Sequence, residues 1–164
     1  MDRALPVLIL ALVFLAALGL MALGWRRRGR SQAHLPAPDT ASSLADLGED
    51  TEIGPVPAIY VDTVLAGTPL ERVVAHGLGT RSKATLARGA VGSWRIERQG
   101  APDLTIPAAD VDTLGSAGAM AGKAVGGDGL LVIRWRLGDT LLDTGLRLER
   151  RADHDLLLSR KDTP

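Results

Sequence analysis

The chain has 164 residues, no cysteine, and 19 basic against 19 acidic side chains. Absent cysteine removes disulfides, thiolate metal sites and cysteine nucleophiles together. Balanced charge gives no electrostatic case for nucleic acid, whose binding rests on phosphate neutralisation, so no nucleic-acid partner is expected.

Leu5 to Gly24 reads LPVLILALVFLAALGLMALG, without one charged side chain. Twenty helical residues rise about 30 Å, the thickness of the hydrocarbon core of a bilayer. A transmembrane helix is therefore expected over residues 4–25, with the lipid bilayer as its partner. A cleaved signal peptide fits less well, because its apolar core is shorter and its basic residues come first. No face of the segment is polar, which argues against an interfacial helix. Pro6 lies in the first turn, where its missing N–H costs nothing.

Arg26, Arg27, Arg28 and Arg30 follow the apolar run, against Arg3 before it. The arginine-rich flank stays in the cytoplasm. Residues 1–3 are thus expected outside, and everything beyond the arginines inside, at the plasma membrane. Residues 26–57 read as this basic stop followed by a linker. From Ser31 to Pro57 the chain has Pro36, Pro38, Pro55 and Pro57, five acidic residues and no Lys or Arg. Such composition buries too little surface to offset the entropy of ordering. Within it, Ser43 to Asp50 could form one helical turn.

Residues 58–164 read as one small β-rich domain. Ala58 to Ala66 has the β-branched and aromatic content of a strand. Thr68 to Gly79 holds a helical turn ended by Gly77 and Gly79. Strands follow at Lys83–Arg88, at Ser93–Gln99 and at Asp103–Ile106; Trp94 and Ile96 alternate inward against Arg95 and Glu97. Val111–Leu114 and Met120–Val125 are weaker strands. Gly129–Leu137 and Thr140–Glu149 make the clearest hairpin, turned by Gly138-Asp139, with Ile133, Trp135 and Leu137 on one face. Ala152 to Arg160 is a closing helix, with Asp153 at its start and Arg160 and Lys161 at its negative end. Leu156, Leu157 and part of Leu158 should face inward.

An N-terminal membrane helix, an arginine stop, a proline-rich spacer and a β-rich domain, with RVVAHGLG (72–79), GAPDLTIPAADV (100–111), GLLVIRW (129–135) and LDTGLR (142–147), resemble the actinobacterial single-pass membrane proteins with a pleckstrin-homology-like (PH-like) domain. The resemblance implies a seven-stranded antiparallel barrel capped by a C-terminal helix. It also implies genes placed among those of pyrimidine biosynthesis. It carries over no catalytic residue.

Chemistry-bearing residues are sparse. His76 sits between small residues and glycines, but no partner stands at triad spacing; a helix-ending hydrogen bond is its expected role. His34, His76 and His154 are too dispersed for a metal site. Asp110 and Asp112 would share one strand face. Trp94 and Trp135 read as packing. Arg81, Lys83, Arg95 and Arg98 form the one basic patch, with Glu97 inside it. No catalytic, cofactor or metal residue is assigned, and no cofactor or enzymatic activity is expected. The function expected is a membrane-anchored interaction module that meets a protein partner at the cytoplasmic face. An accessory subunit of a transport or export system, or a small enzyme using His76 with Asp110 or Asp112, is the alternative.

Overall fold

The computed structural model describes residues 4–32, 35–39, 43–124, 126–127 and 129–159. Two compact units divide at His34 and Leu35. The first holds helix α1, Ala4–Ser31. Within it, Val7–Gly24 is long and apolar enough to cross a membrane.

The second unit is built on a seven-stranded sheet. In chain order the strands are β1 (Thr51–Leu65), β2 (Ser82–Gly89), β3 (Trp94–Arg98), β4 (Leu104–Ile106), β5 (Val111–Ala117), β8 (Leu130–Leu137) and β9 (Thr140–Leu148). A separate small hairpin, β6 (Ala119–Met120) and β7 (Lys123–Ala124), is inserted between β5 and β8. The order across the sheet is β4-β3-β2-β1-β9-β8-β5, with β1 central and long. Every pairing is antiparallel. The chain is mainly β, as expected. The core lies on the inner face, where Tyr60, Leu86, Trp94, Ile96, Ile133, Trp135, Leu142 and Leu146 meet.

The last hairpin follows the alternation closely. Leu137 pairs with Thr140 across Gly138-Asp139, and Gly138 takes φ 58°, which a side chain resists. Ile133, Trp135 and Leu137 are buried, while Arg134 turns outward and grips Asp143 with two hydrogen bonds of 2.7 and 2.9 Å.

Several expectations are corrected. The first strand begins at Thr51, not Ala58. Register shifts between Thr51 and Ile53, and between Ile53 and Val56, absorb the Gly54-Pro55 step that reads as linker. Within the described part of the supposed linker, Leu35, Leu44 and Glu49 are buried on the domain. Ser43 and Asp46 exchange hydrogen bonds (2.9 and 3.2 Å) in the reciprocal manner of a capping box, which starts the short turn Ala45–Leu47. The Glu49 carboxylate accepts from the Val91 and Ser93 amides at 3.1 and 3.3 Å, so it closes the β2–β3 loop.

Met120–Val125 is not one strand. Its described part is the β6–β7 hairpin, folded over the outer face of β1, β8 and β9. Met120 packs there with Val61, Val64 and Leu130. Gly145 makes the room, since a Cβ on it would stand 2.6 Å from the Met120 sulfur.

Helix α2 spans Arg151–Ser159, so Asp153 lies inside its first turn and not at its cap. There it receives two 2.8 Å hydrogen bonds from Arg150. Leu157 is 1% exposed and joins the core, but Leu156 is 45% exposed and turns to solvent. Residues one position apart on a helix point about 100° apart; the seam runs through Leu157 with the partly buried Leu158 beside it, as expected, and Leu156 falls outside it. His34, Arg160, Lys161 and residues 1–3 lie outside the described residues.

Candidate functional site

Three connections meet at one end of the seven-stranded sheet. Leu65 pairs with Leu142, Ala84 with Arg98, and Leu137 with Thr140. The β1–β2 loop (66–81), the β3–β4 turn (99–103) and the β8–β9 turn therefore share this mouth.

Arg98 organises the mouth from inside. Its side chain is buried and donates to the carbonyls of Gly77 (3.0 Å), Pro102 (3.3 Å) and Thr80, and to the Ser82 hydroxyl (3.3 Å). Behind it runs a chain of buried polar groups. Trp135 Nε1–H donates to Thr144 Oγ1 at 2.9 Å, and Thr144 and Thr63 hydroxyls meet at 2.8 Å. Thr63 contacts the Tyr60 hydroxyl, which donates to the Leu78 carbonyl at 2.9 Å. The indole can only donate and the carbonyl can only accept. The protons therefore all point one way, from Trp135 through Thr144, Thr63 and Tyr60 to Leu78.

The basic patch read from sequence breaks up. Arg95 lies on the face opposite Trp94 and Ile96 but is buried there, donating to Asp103 at 2.6 Å and to Thr105 at 3.1 Å. Asp103 also receives the Arg98 amide at 2.7 Å. Arg81 and Lys83 stay exposed. Asp110 lies in the short turn Ala108–Asp110 and Asp112 in β5, so they do not share a strand. Trp94 and Trp135 are core residues.

His76 has φ 53°, a left-handed backbone uncommon outside glycine. Its Nε2–H donates to the Leu35 carbonyl at 2.9 Å. The bond thus ties the β1–β2 loop to the chain's N-terminal segment, and does not cap a helix. On the same loop Leu70 is 79% and Val74 39% exposed.

Two clusters had no signal in sequence spacing. Asp62, wholly buried on the outer face, pairs with Arg72 at 2.7 Å and with Lys123 of the small hairpin at 3.3 Å. Burial pushes the Asp62 carboxyl upward, and the two cations pull it back in part. Elsewhere Ser116, His154 and Asp155 line up: Ser116 Oγ is 3.3 Å from His154 Nε2, and His154 Nδ1 is 3.3 Å from Asp155 Oδ1. The carboxylate only accepts, so Nδ1–H donates to it and Nε2 takes the serine hydroxyl. The connectivity is that of a hydrolase triad, but the environment is not. Asp155 is exposed and shared with Arg151 at 3.1 Å. Ser116 sits within the β5–β8 ladder opposite Leu131, where amides are not gathered into an oxyanion hole. The cluster fastens α2 to β5. Among the described residues, no group of three or more His, Asp or Glu could hold a metal ion.

Residues 32–161 match the family model described as Bacterial PH domain-like. No curated protein and no solved structure matches the chain.

Proposed function

Since this chain belongs to the Bacterial PH domain-like family, we propose that it is a non-catalytic interaction module. In this reading residues 4–25 tether it to the plasma membrane, and the domain binds a protein partner on the cytoplasmic side. The carrying observation is how the mouth distributes its groups. Arg72, Arg95 and Arg98 are each engaged by a carboxylate or by loop carbonyls. Arg81 and Lys83, the cations of the predicted patch that stay exposed, are poor provision for a phosphorylated headgroup, which calls for several converging donors. Leu70 and Val74 stand exposed on the same loop, and an apolar surface rimmed by polar groups suits protein contact.

A photo-crosslinking side chain at Val74, activated in intact cells, tests the reading. The expected product is a reproducible adduct with one polypeptide. Adducts with lipid alone, or none above the level of a position on β5, would overturn it.

A further inference from the structure

One stretch of the domain is an extended strap at the edge of the sheet. Leu35–Asp39 crosses the mouth and then runs along β4. The Leu35 side chain is 4% exposed within the core, and its carbonyl takes the His76 hydrogen bond. The Pro36 ring lies against Gly138, with Cγ 3.2 Å from where a Cβ would stand. The Asp39 carbonyl then accepts the Thr105 N–H at 3.0 Å, an antiparallel bridge on the outer edge of β4. One buried leucine, one side-chain hydrogen bond and one backbone bridge are among the ties that hold these five residues.

The receiving side is built for a backbone as well as a side chain. His76 keeps an uncommon φ for a non-glycine residue while its imidazole meets a carbonyl, and such a conformation persists where surrounding structure holds it. Gly138 leaves space for a proline ring. Strand β4 is three residues long and ends the sheet, so its outer edge can pair with an added chain. A pocket for one apolar side chain beside an open ladder is how a sheet edge reads an extended peptide.

We propose that the mouth and the outer edge of β4 form a peptide groove, held shut in cis by Leu35–Asp39. An extended, proline-containing segment of a partner protein, with an apolar side chain in the place of Leu35, binds there by displacing it. The proposal rests on the interaction-module reading and names its site. A tethered strap competes at an effective concentration in the millimolar range, so only a well-matched segment enters.

The test uses the full chain in lipid nanodiscs and a fluorescent synthetic peptide of residues 32–50. Leu35→Asp weakens the strap and leaves the groove intact, so this variant should bind the native peptide at least about tenfold tighter than the native chain does. A peptide carrying the same Leu35→Asp change should bind neither. In the native chain, the Thr105 amide should exchange with solvent at least about tenfold faster than that of Ile96, because strap release opens one and not the other. A folded Leu35→Asp chain that takes up no more peptide overturns the proposal. So does Thr105 exchanging only together with Ile96, which decides the matter even if the variant does not fold. A native chain found as a strap-exchanged dimer overturns the partner-protein assignment in favour of a second copy. Continued crosslinking at Val74 with an unoccupied groove would leave the module reading standing and remove this one.

Discussion

The guanidinium carbon of Arg98 stands 3.8 Å from the centroid of the Tyr60 ring. That contact joins two systems: the fan of loop carbonyls which Arg98 gathers, and the one-way hydroxyl chain that ends at Tyr60. A cation over a buried aromatic face is favourable where water is excluded. Loop geometry at the mouth and the polar interior therefore meet at this pair, as they do at the Tyr60–Leu78 hydrogen bond.

Tyr60 should report this contact on raising pH. Burial pushes its phenol up from 10.0 to about 12, against the pull of the Thr63 hydrogen bond and Arg98. A group whose folded value exceeds its unfolded one contributes stability below the unfolded value and loses it as pH climbs through the folded one. Stability should hold up to about pH 10 and fall by roughly 2–3 kcal/mol by about pH 12. Tyr60 is the one tyrosine in the chain, so phenolate absorbance reads it directly. Tyr60→Phe should abolish the tyrosine step and flatten the stability profile in that window. A phenol titrating at its ordinary value in the folded chain would contradict the buried network.

Asp62 makes the opposite case, a buried charge that costs. Its carboxyl is raised by burial more than Arg72 and Lys123 lower it. By the same sign rule its contribution is largest below the ordinary carboxylate range and is lost as pH rises through the folded value. Once ionised, the group is then a net burden. Asp62→Asn should melt at or above the native temperature at neutral pH, since both cations are partly exposed and can rehydrate. Lys123→Met, which leaves the carboxylate short of a partner, should cost about 1–3 kcal/mol. Thermal unfolding of the two variants side by side checks the order.

What sequence could show was governed by local periodicity. The β8–β9 hairpin declares itself because both strands alternate cleanly and Gly138 sits where a positive φ is required. The first half of β1 does not, because Gly54, Pro55 and Pro57 carry the marks of a linker while register shifts accommodate them. Arg95 reads as an exposed cation because its neutralising partner, Asp103, belongs to the following turn. Ser116 and His154 lie 38 residues apart and meet only when α2 folds onto β5. The mouth was the least legible part. Arg98 reads as a surface cation until the carbonyls of Gly77, Thr80 and Pro102 are placed around it.

The two neighbouring leucines of α2 separate packing from composition. Leu157 is 1% exposed and Leu156 45%. Leu157→Ala removes core volume and should destabilise the domain by about 2–5 kcal/mol. Leu156→Ala should stay within about 0.5 kcal/mol, being a surface change to a better helix former. Equal effects in thermal unfolding would mean that α2 does not dock through the Leu157 face.

Four side chains give the expected orientation of the chain across a membrane. Arg26, Arg27, Arg28 and Arg30 stand directly after the apolar run, while Arg3 alone precedes it. Each arginine carried across a bilayer is costly, so the richer flank should remain in the cytoplasm with the β domain behind it. Protease added to intact spheroplasts should leave residues 58–164 undigested, and lysis should expose them. Replacing all four arginines with asparagine while adding lysines before Ala4 should invert the outcome, because the basic excess then lies on the other side. Digestion of the native chain in intact spheroplasts would place the domain outside. The partner sought by crosslinking would then be an extracytoplasmic protein.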